Sequence, residues 1–491
     1  MTPRTTAEGQ ERHQVFKCGL EIHIQLDTKR KLFCGCSTAM SEKEPAAVVI
    51  RKQHPVASEL GEIDVAVQYE FLRNRVFHYQ VFRTETCLVD LDEEPPHPVN
   101  PEALEIALQI AMLLNSDIPA EVYVMRKTVI DGSNTAGFQR TMVVGTSGYI
   151  SFKDSKVPIS YVTLEEDAAG IVKEEDGVVT YRLNRLGVPL VEIGTGILGG
   201  FSPEDVQEIA YTIGIIAKST GKVRRGIGTI RQDINISVRP EGRVELKGVQ
   251  DLGMLSKVIR TEVERQLTLD KVKHETRAVR PDGGSEFLRP LPGSARMYPE
   301  TDLLPIFLEK DYVNRIRREL PEPWTRKLER FARELKLSDQ LAKQILRSDY
   351  LSLFERIVSS IDVEPSVVAS TFLSTLKDLE KRFGVKIENL TDEHFEGMFK
   401  LLAEKKIVKE AIPEILRAAA EEPKERIEVV VKRSSLGLLS EPELRQIISR
   451  VLKKERASTE KTVGLVMSQV RGRADPQTVI ALVKEMSKAV S

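Results

Sequence analysis

Residues 19–27 read GLEIHIQLD, an alternation suited to one backbone geometry. Successive side chains of an extended strand point to opposite faces, so Leu20, Ile22, Ile24 and Leu26 share one face and Glu21, His23, Gln25 and Asp27 the other. The apolar face demands a cover. On the polar face a carboxylate and an imidazole stand two residues apart, a spacing at which both reach one cation. A half-exposed strand with a wet face explains the same pattern. GTIRQDINIS repeats it, with Arg231, Asp233 and Asn235 on one face and Ile230, Ile234 and Ile236 on the other. Asp and Asn oxygens at this spacing are hard ligands suited to Mg²⁺, and an Arg beside them can clamp phosphate.

These strands belong to a long Gly-rich, β-branched stretch (VFKCGLEIHIQL, EVYVMRKTVI, RVELKGV) that runs to about Phe307 and reads as an α+β domain. Two helices are marked within it. Asn100-Pro101 precedes EALEIALQIAMLLN, and Ser202-Pro203-Glu204-Asp205 precedes VQEIAYTIGIIAKSTG, each pairing a capping side chain with a first-turn proline. From about Arg315 the pattern is helical. Glu422 to about Val431 reads as a linker, followed by a last helical unit. The expected domains are 1–310, 311–427 and 428–491, and 491 residues accommodate three on a prior of about 150 each.

Lys+Arg 72 against Asp+Glu 73 excludes a wholly basic coat protein and an acidic tail protein. Any nucleic-acid surface is therefore local. Residues 428–491 hold 12 Lys/Arg and 7 Asp/Glu, a net +5. No apolar run approaches the ~18 residues of a membrane helix, and the start MTPRTTAEGQERHQ has no apolar signal core, so a cytoplasmic location without membrane contact is expected. Four cysteines in so long a chain are not a disulfide scaffold. Cys34-Gly-Cys36 lacks the second Cys-x-x-Cys usual at zinc sites, and Cys18 and Cys87 would have to come from separate strands, which argues against a structural zinc.

Further acids lie between the two alternating strands. TLEEDAAG carries Glu165, Glu166 and Asp167, and Glu192 sits inside the apolar run of LGVPLVEIGTG. A carboxylate there needs a partner, either Arg182 or Arg185 or a metal ion. If these faces converge, they form an acidic floor for divalent cations and, through them, a nucleoside triphosphate. No Walker lysine motif is present, so ATP would lie on the sheet with metal ions and arginines. The candidates are Arg231 and, in EFLRPLPGSARMYPETD, Arg289 and Arg296, with Glu300 and Asp302 beside them.

The ordered set GLEIH, KLFCGCST, DLDEEP, LEEDAAG, LNRLGVPLVEI, GTIRQDINIS, ELKGV and RMYPETD closely resembles the GatB/GatE family of tRNA-dependent amidotransferases, and FLRPLPGSARMYPETD is similar to its archaeal GatE branch. The resemblance implies a cradle domain related in fold to glutamine synthetase and the guanidino kinases, then an α-helical domain and a small YqeY-like helical tail, whose excess of basic residues is expected to grip tRNA phosphates, a solvated helical face being the alternative. It implies phosphorylation by ATP and Mg²⁺ of the γ-carboxylate of glutamate misacylated on tRNA(Gln). Ammonia from an asparaginase-like amidotransferase partner, GatD, then displaces phosphate, within a heterotetramer. The family's metal-binding residues carry onto Glu21, His23, Glu165, Glu166, Glu192, Asp233 and Asn235, with Glu21, His23 and Glu192 catalytic. Glu21, His23, Glu192 and Asp233 are expected around one shared cation. Two rival functions stay open, a non-catalytic tRNA-binding scaffold and a free-standing carboxylate kinase. Two departures stand out. The extra domain of archaeal members, expected between LGMLSKVIRTEVERQL and GGSEFLRP, is replaced by TLDKVKHETRAVRPD, and the second cysteine pair of some GatB proteins is missing.

Overall fold

The computed structural model describes residues 16–490 except 42–43, 56, 58–60, 227, 241, 250, 294–296, 455–458 and 471–472. It divides into two compact units, one ending at Pro323 and one beginning at Trp324. An eleven-stranded sheet organises the first. Its strands are β1 (Lys17–Gln25), β2 (Met125–Thr128), β3 (Phe138–Phe152), β4 (Ser155–Glu166), β5 (Pro189–Thr195), β6 (Leu198–Gly199), β7 (Ile230–Ser237), β8 (Val244–Val249), β9 (Glu275–Val279), β10 (Ser285–Pro290) and β11 (Met297–Pro299). The spatial order is β10-β9-β8-β7-β1-β5-β4-β3-β2-β11, with the short β6 also paired to β1. The first strand of the chain is thus a central one, antiparallel to both β5 and β7.

Leu20, Ile22 and Ile24 of β1 are fully buried. Their cover is helical: α1 (Pro101–Leu113) packs on β3 and β4, α2 (Pro203–Lys218) on β1, and α3 (Leu255–Leu267) on β7. The caps anticipated from sequence are formed. Asn100 accepts from the Glu102 and Ala103 amides, and Ser202 and Asp205 make a reciprocal capping box. Each cap of this kind contributes about 1 kcal/mol, and each fully buried Ile or Leu about 1.5–3 kcal/mol. Because all three helices press on one face, the other face of the central strands is left for polar groups. A separate four-stranded sheet (Ala47–Arg51, Val76–Val81, Gly170–Glu175, Val178–Arg182) is held by Phe77, Tyr79, Val179 and Tyr181.

The first unit extends past the expected boundary at 310 because helix Lys310–Arg318 docks on α1, where Arg315 meets Glu105 at 2.8 Å. From α3 the chain passes through residues 268–274 directly into β9, so no inserted domain separates them.

The described residues of the second unit contain helices and no strand. One core gathers Phe331 to Val431 and a second gathers Leu439 to Val483. The expected linker ending near Val431 is in part a helix, Ile427–Arg433, and it belongs to the first core. Ile427, Val430 and Val431 stand at i, i+3 and i+4, the spacing that puts them on one buried stripe. The independent tail core therefore begins at Leu439, later than 428.

Candidate active site and metal centres

Strand register brings the polar residues together. Glu21 lies opposite Asp233 on β7, and His23 lies between Glu192 on β5 and Arg231 on β7. Glu192 in turn faces Thr163 on β4, while Asn235, Glu245, Thr276 and Arg289 line up across β7, β8, β9 and β10. Directly paired residues point to the same side of a sheet. One face therefore collects the acids, opposite the helices.

The acids form two clusters, which corrects the expectation of one shared cation position. His23, Glu165 and Glu192 offer ligand atoms within 4.8 Å of one another, and Glu21, Asp233 and Glu245 do the same beside them. The separation follows from register. His23 is drawn to Glu192 on one side of β1, with 3.2 Å between Nε2 and Oε2, whereas Glu21 is paired to β7 on the other.

A lysine stands at each cluster. Lys127 Nζ lies 3.0 Å from Glu165 and 3.7 Å from Glu192, and Lys247 Nζ lies 2.6 Å from Asp233 and 3.2 Å from Glu245. Five carboxylates against two ammonium groups leave an excess of negative charge. Burial and the neighbouring Glu192 push the Glu21 carboxyl up from its ordinary value. Burial has the same tendency at Glu192, but Lys127 and His23 outweigh it and hold that carboxyl well below the usual range. Asp233 is likewise lowered, by Lys247 and His23 against its own burial. Hard oxygen donors in this number and spacing suit Mg²⁺, and a divalent cation would relieve the repulsion that raises Glu21.

Three predicted residues take other places. Glu166 is adjacent in sequence to Glu165 and so faces the other way; it accepts from the Arg140 amide at 3.0 Å and its guanidinium at 3.3 Å, and joins neither cluster. Asn235 donates its amide N–H to Glu21 at 2.9 Å, orienting that carboxylate. Arg231, expected to hold phosphate, is engaged by Asp167 at 2.8 Å. Arg289 is on the acidic face, 3.6 Å from Asp131, with its buried Nε lacking a hydrogen bond. Arg296 lies outside the described residues.

Glu192 is satisfied by neither Arg182 nor Arg185. Its partners are His23, Lys127 and the Tyr161 hydroxyl, which donates at 2.7 Å. Arg182 and Arg185 donate to the Ser41 and Ala168 carbonyls instead. Glu245, Lys247, Lys127 and Tyr161 escaped sequence reasoning. The alternation in RVELKGV, with Val244 and Leu246 buried, marks Glu245 and Lys247 as polar-face residues; the other two come from strands whose sequence singles out no position. Lys247 leads into an irregular turn of β8, where Gly248 at φ 88° presents its N–H to Asp233. A side chain at that left-handed position would be strained.

The cysteines correct a further expectation. Cys34, Cys36, Cys87 and Asp90 offer ligand atoms within 4.8 Å of one another. A Cys-x-x-Asp turn, in which Asp90 accepts from the Cys87 amide at 3.0 Å, takes the place of the missing second cysteine pair. Cys18 stands apart, its thiol directed to the Leu198 carbonyl. Hydrogen bonds from Cys34 and then Cys36 pull the Cys87 thiol down from its ordinary value. Three sulfurs and a carboxylate suit Zn²⁺ in number and softness, with Asp90 shared with Lys31 at 2.9 Å.

Residues 16–314 match the GatB/GatE catalytic domain, and residues 352–486 match the GatB domain of the YqeY type. The chain is 35% identical to the glutamyl-tRNA(Gln) amidotransferase GatE protein of Methanocaldococcus jannaschii, over 96% of this chain and 98% of that one. It is 34% identical to the GatE protein of Saccharolobus solfataricus over 96% and 98%, and 33% identical to that of Aeropyrum pernix over 96% and 97%. The first alignment runs over 622 positions, more than the 491 residues here, so that relative carries residues without a counterpart in this chain. A catalytic-domain match across most of the sequence, with relatives alike from end to end, leads to one conclusion: the chain belongs to the GatB/GatE family.

Proposed function

We propose that the chain is the kinase and transamidase component of a glutamyl-tRNA(Gln) amidotransferase, using ATP and Mg²⁺. The observation that carries this reading is the pair of acidic clusters side by side on the open face of β1, each with a lysine at its edge. A carboxylate is inert to ammonia because its leaving group would be oxide. Phosphorylation makes that oxygen part of phosphate, a competent leaving group, and no nucleophilic Ser or Cys is required. When bound, Mg²⁺ held by His23, Glu165 and Glu192 and by Glu21, Asp233 and Glu245 supplies the charge that screens carboxylate from triphosphate. The chain's own contributions are distinct. Asn235 orients Glu21, Tyr161 and His23 orient Glu192, and Arg289 provides a positive edge to the floor. Ammonia comes from an amide-hydrolysing, asparaginase-like partner, GatD, in a heterotetramer.

The test uses labelled ATP, Mg²⁺, Glu-tRNA(Gln) and hydroxylamine. An ATP-dependent hydroxamate on the tRNA is the expected product. No hydroxamate would indicate a scaffold role, and hydroxamate from free glutamate would indicate a small-molecule kinase.

The tail is the second part of the proposal. From Leu439 to the last residue the sequence holds 10 Lys/Arg and 6 Asp/Glu, and the described helices of this segment are Glu441–Lys454, Thr459–Val470 and Pro476–Val490. Arg445 is neutralised by Glu441 and Glu485, whereas Arg450, Lys453 and Lys484 are exposed and offer their charge to tRNA phosphates. Removing residues 439–491, a unit with its own core, is expected to raise the KM for Glu-tRNA(Gln). Filter binding across salt concentrations should show a shallower slope, by about 0.7–0.9 for each phosphate that is no longer neutralised. An unchanged slope and KM would reduce the charge count to surface decoration.

A further inference from the structure

We infer that one end of the large sheet carries a phosphate-binding edge that grips the acceptor arm of the tRNA; the choice of RNA rests on the tRNA-dependent reading above. The edge is built from Lys17, Arg243, Lys271 and Lys273, all of them exposed. Among the described residues none of the four is ion-paired to a carboxylate. Strand register brings them to the same end. Lys17 opens β1 opposite Ser237, the last residue of β7, and β8 and β9 both begin there, with Val244 beside Ile236 and Glu275 beside Val244.

Two connections meet at this end, residues 238–243 leading into β8 and residues 268–274 leading into β9, and they are locked together. A Cβ on Gly242 would meet the Val272 Cβ at 2.5 Å, so only glycine lets the two segments pack this closely. The Arg243 amide donates to His274 Nδ1 at 3.3 Å, and the Arg239 guanidinium donates to the Asp270 carbonyl at 2.9 Å. Val272 is buried, and the lysines on either side of it are turned to solvent. Because residues 268–274 run straight into β9, no inserted domain covers them.

Charge and distance select the ligand. In sequence, Lys17 with residues 238–243 and 268–274 makes five basic residues against Glu241 and Asp270, a net +3. Lys17 and Arg243 line the same cavity as Glu21 and Asn235, so the basic edge and the acidic floor share one face. Lys17 and Glu21 stand four positions apart on β1, about 13 Å of strand. That exceeds the ~8 Å Debye length at physiological salt, so the acids neither cancel the edge nor repel what it holds. In an aminoacylated RNA the reactive carboxylate is separated from the first phosphodiester by the glutamyl chain, an ester and one ribose, a span of the same order. The carboxylate reaches the floor while the phosphates rest on positive ground. A free amino acid has no phosphate for this edge to hold.

The experiment compares the full-length wild type with two double variants, Lys271→Ser with Lys273→Ser and Lys271→Arg with Lys273→Arg. Both pairs change exposed side chains outside any helix or strand, so neither should lower the thermal midpoint. The probes are Glu-tRNA(Gln), an uncharged RNA hairpin carrying the acceptor stem and its single-stranded 3′ end, and ATP in Mg²⁺. In the serine variant the KM for Glu-tRNA(Gln) and the Kd for the hairpin are each expected to rise at least about tenfold, with a salt slope shallower by about 1.4–1.8, the loss of two phosphate contacts. The arginine variant keeps the charge and should bind both RNAs like the wild type, and ATP affinity should be unchanged throughout. Wild-type KM and salt slope in the serine variant would overturn the assignment. So would an equal loss in the arginine variant, which would point to shape rather than charge, or a parallel loss of ATP affinity, which would trace the effect to the acidic floor. Weaker binding of Glu-tRNA(Gln) with unchanged hairpin binding would give the lysines to another part of the tRNA and overturn it too. Absence of hydroxamate on Glu-tRNA(Gln) in the wild type would defeat the kinase reading alone, and the hairpin would still decide the edge.

Discussion

Replacing Glu192 by alanine is expected to reduce ATP-dependent hydroxamate formation on Glu-tRNA(Gln) by about a thousandfold, the scale at which a fixed catalytic charge is lost. Glu192 lies where three cationic or donor groups converge: His23 at 3.2 Å, Lys127 at 3.7 Å and the Tyr161 hydroxyl at 2.7 Å. Its loss removes one of three ligands from the first cluster and frees His23 from the carboxylate that raises its pKa against burial. Glu192→Gln sharpens the result. The glutamine keeps an acceptor for Tyr161 but no charge, so if metal ligation is the role, activity falls nearly as far as in the alanine variant. Nearly full activity in Glu192→Gln, or unchanged activity in Glu192→Ala, would return the residue to a structural part.

Asp167→Ala is expected to destabilise the first unit by about 3–5 kcal/mol, the usual consequence of removing one partner from a buried charged network. Asp167 is 1% exposed and accepts from Gln25 at 2.5 Å and Arg231 at 2.8 Å, with Arg185 at 3.8 Å. Without it, two largely enclosed guanidinium groups face each other uncompensated. The same residue sets a pH dependence. Burial alone would raise its carboxyl, but Arg231 and Arg185 hold it below the usual value. A carboxyl depressed in the folded state adds stability that is fully present above the unfolded pKa of about 3.9 and is lost as pH falls through the folded value. Urea unfolding from pH 7 to pH 3 should therefore show wild type and Asp167→Asn converging only at the acid end. A constant gap would show that packing, and not ionisation, is what Asp167 contributes.

The placement of Glu166 shows how a rule legible in sequence can still be misapplied. Period-two alternation assigns Glu21 and His23 to one face, and the same rule separates Glu165 from Glu166 once β4 is known to continue through both. LEEDAAG ends in turn-forming residues, so the strand's last position has no local mark. Arg140, brought from β3, is what holds Glu166 to the far side.

Local chemistry by itself determined which residues share a face of β1 and of β7, where α1 and α2 begin, and that the end of the chain is basic. Those properties depend on neighbours within a turn or two, through alternation, caps and charge. Only the tertiary structure decided that the acids form two clusters, that Glu245 and Lys247 complete one and Lys127 edges the other, and that Cys87 and Asp90 meet Cys34 and Cys36. The physical reason is register. A one-residue slip between β1 and either neighbour would turn a whole set of partners to the helix side, and what prevents it is the burial of Leu20, Ile22 and Ile24 under helices far along the chain.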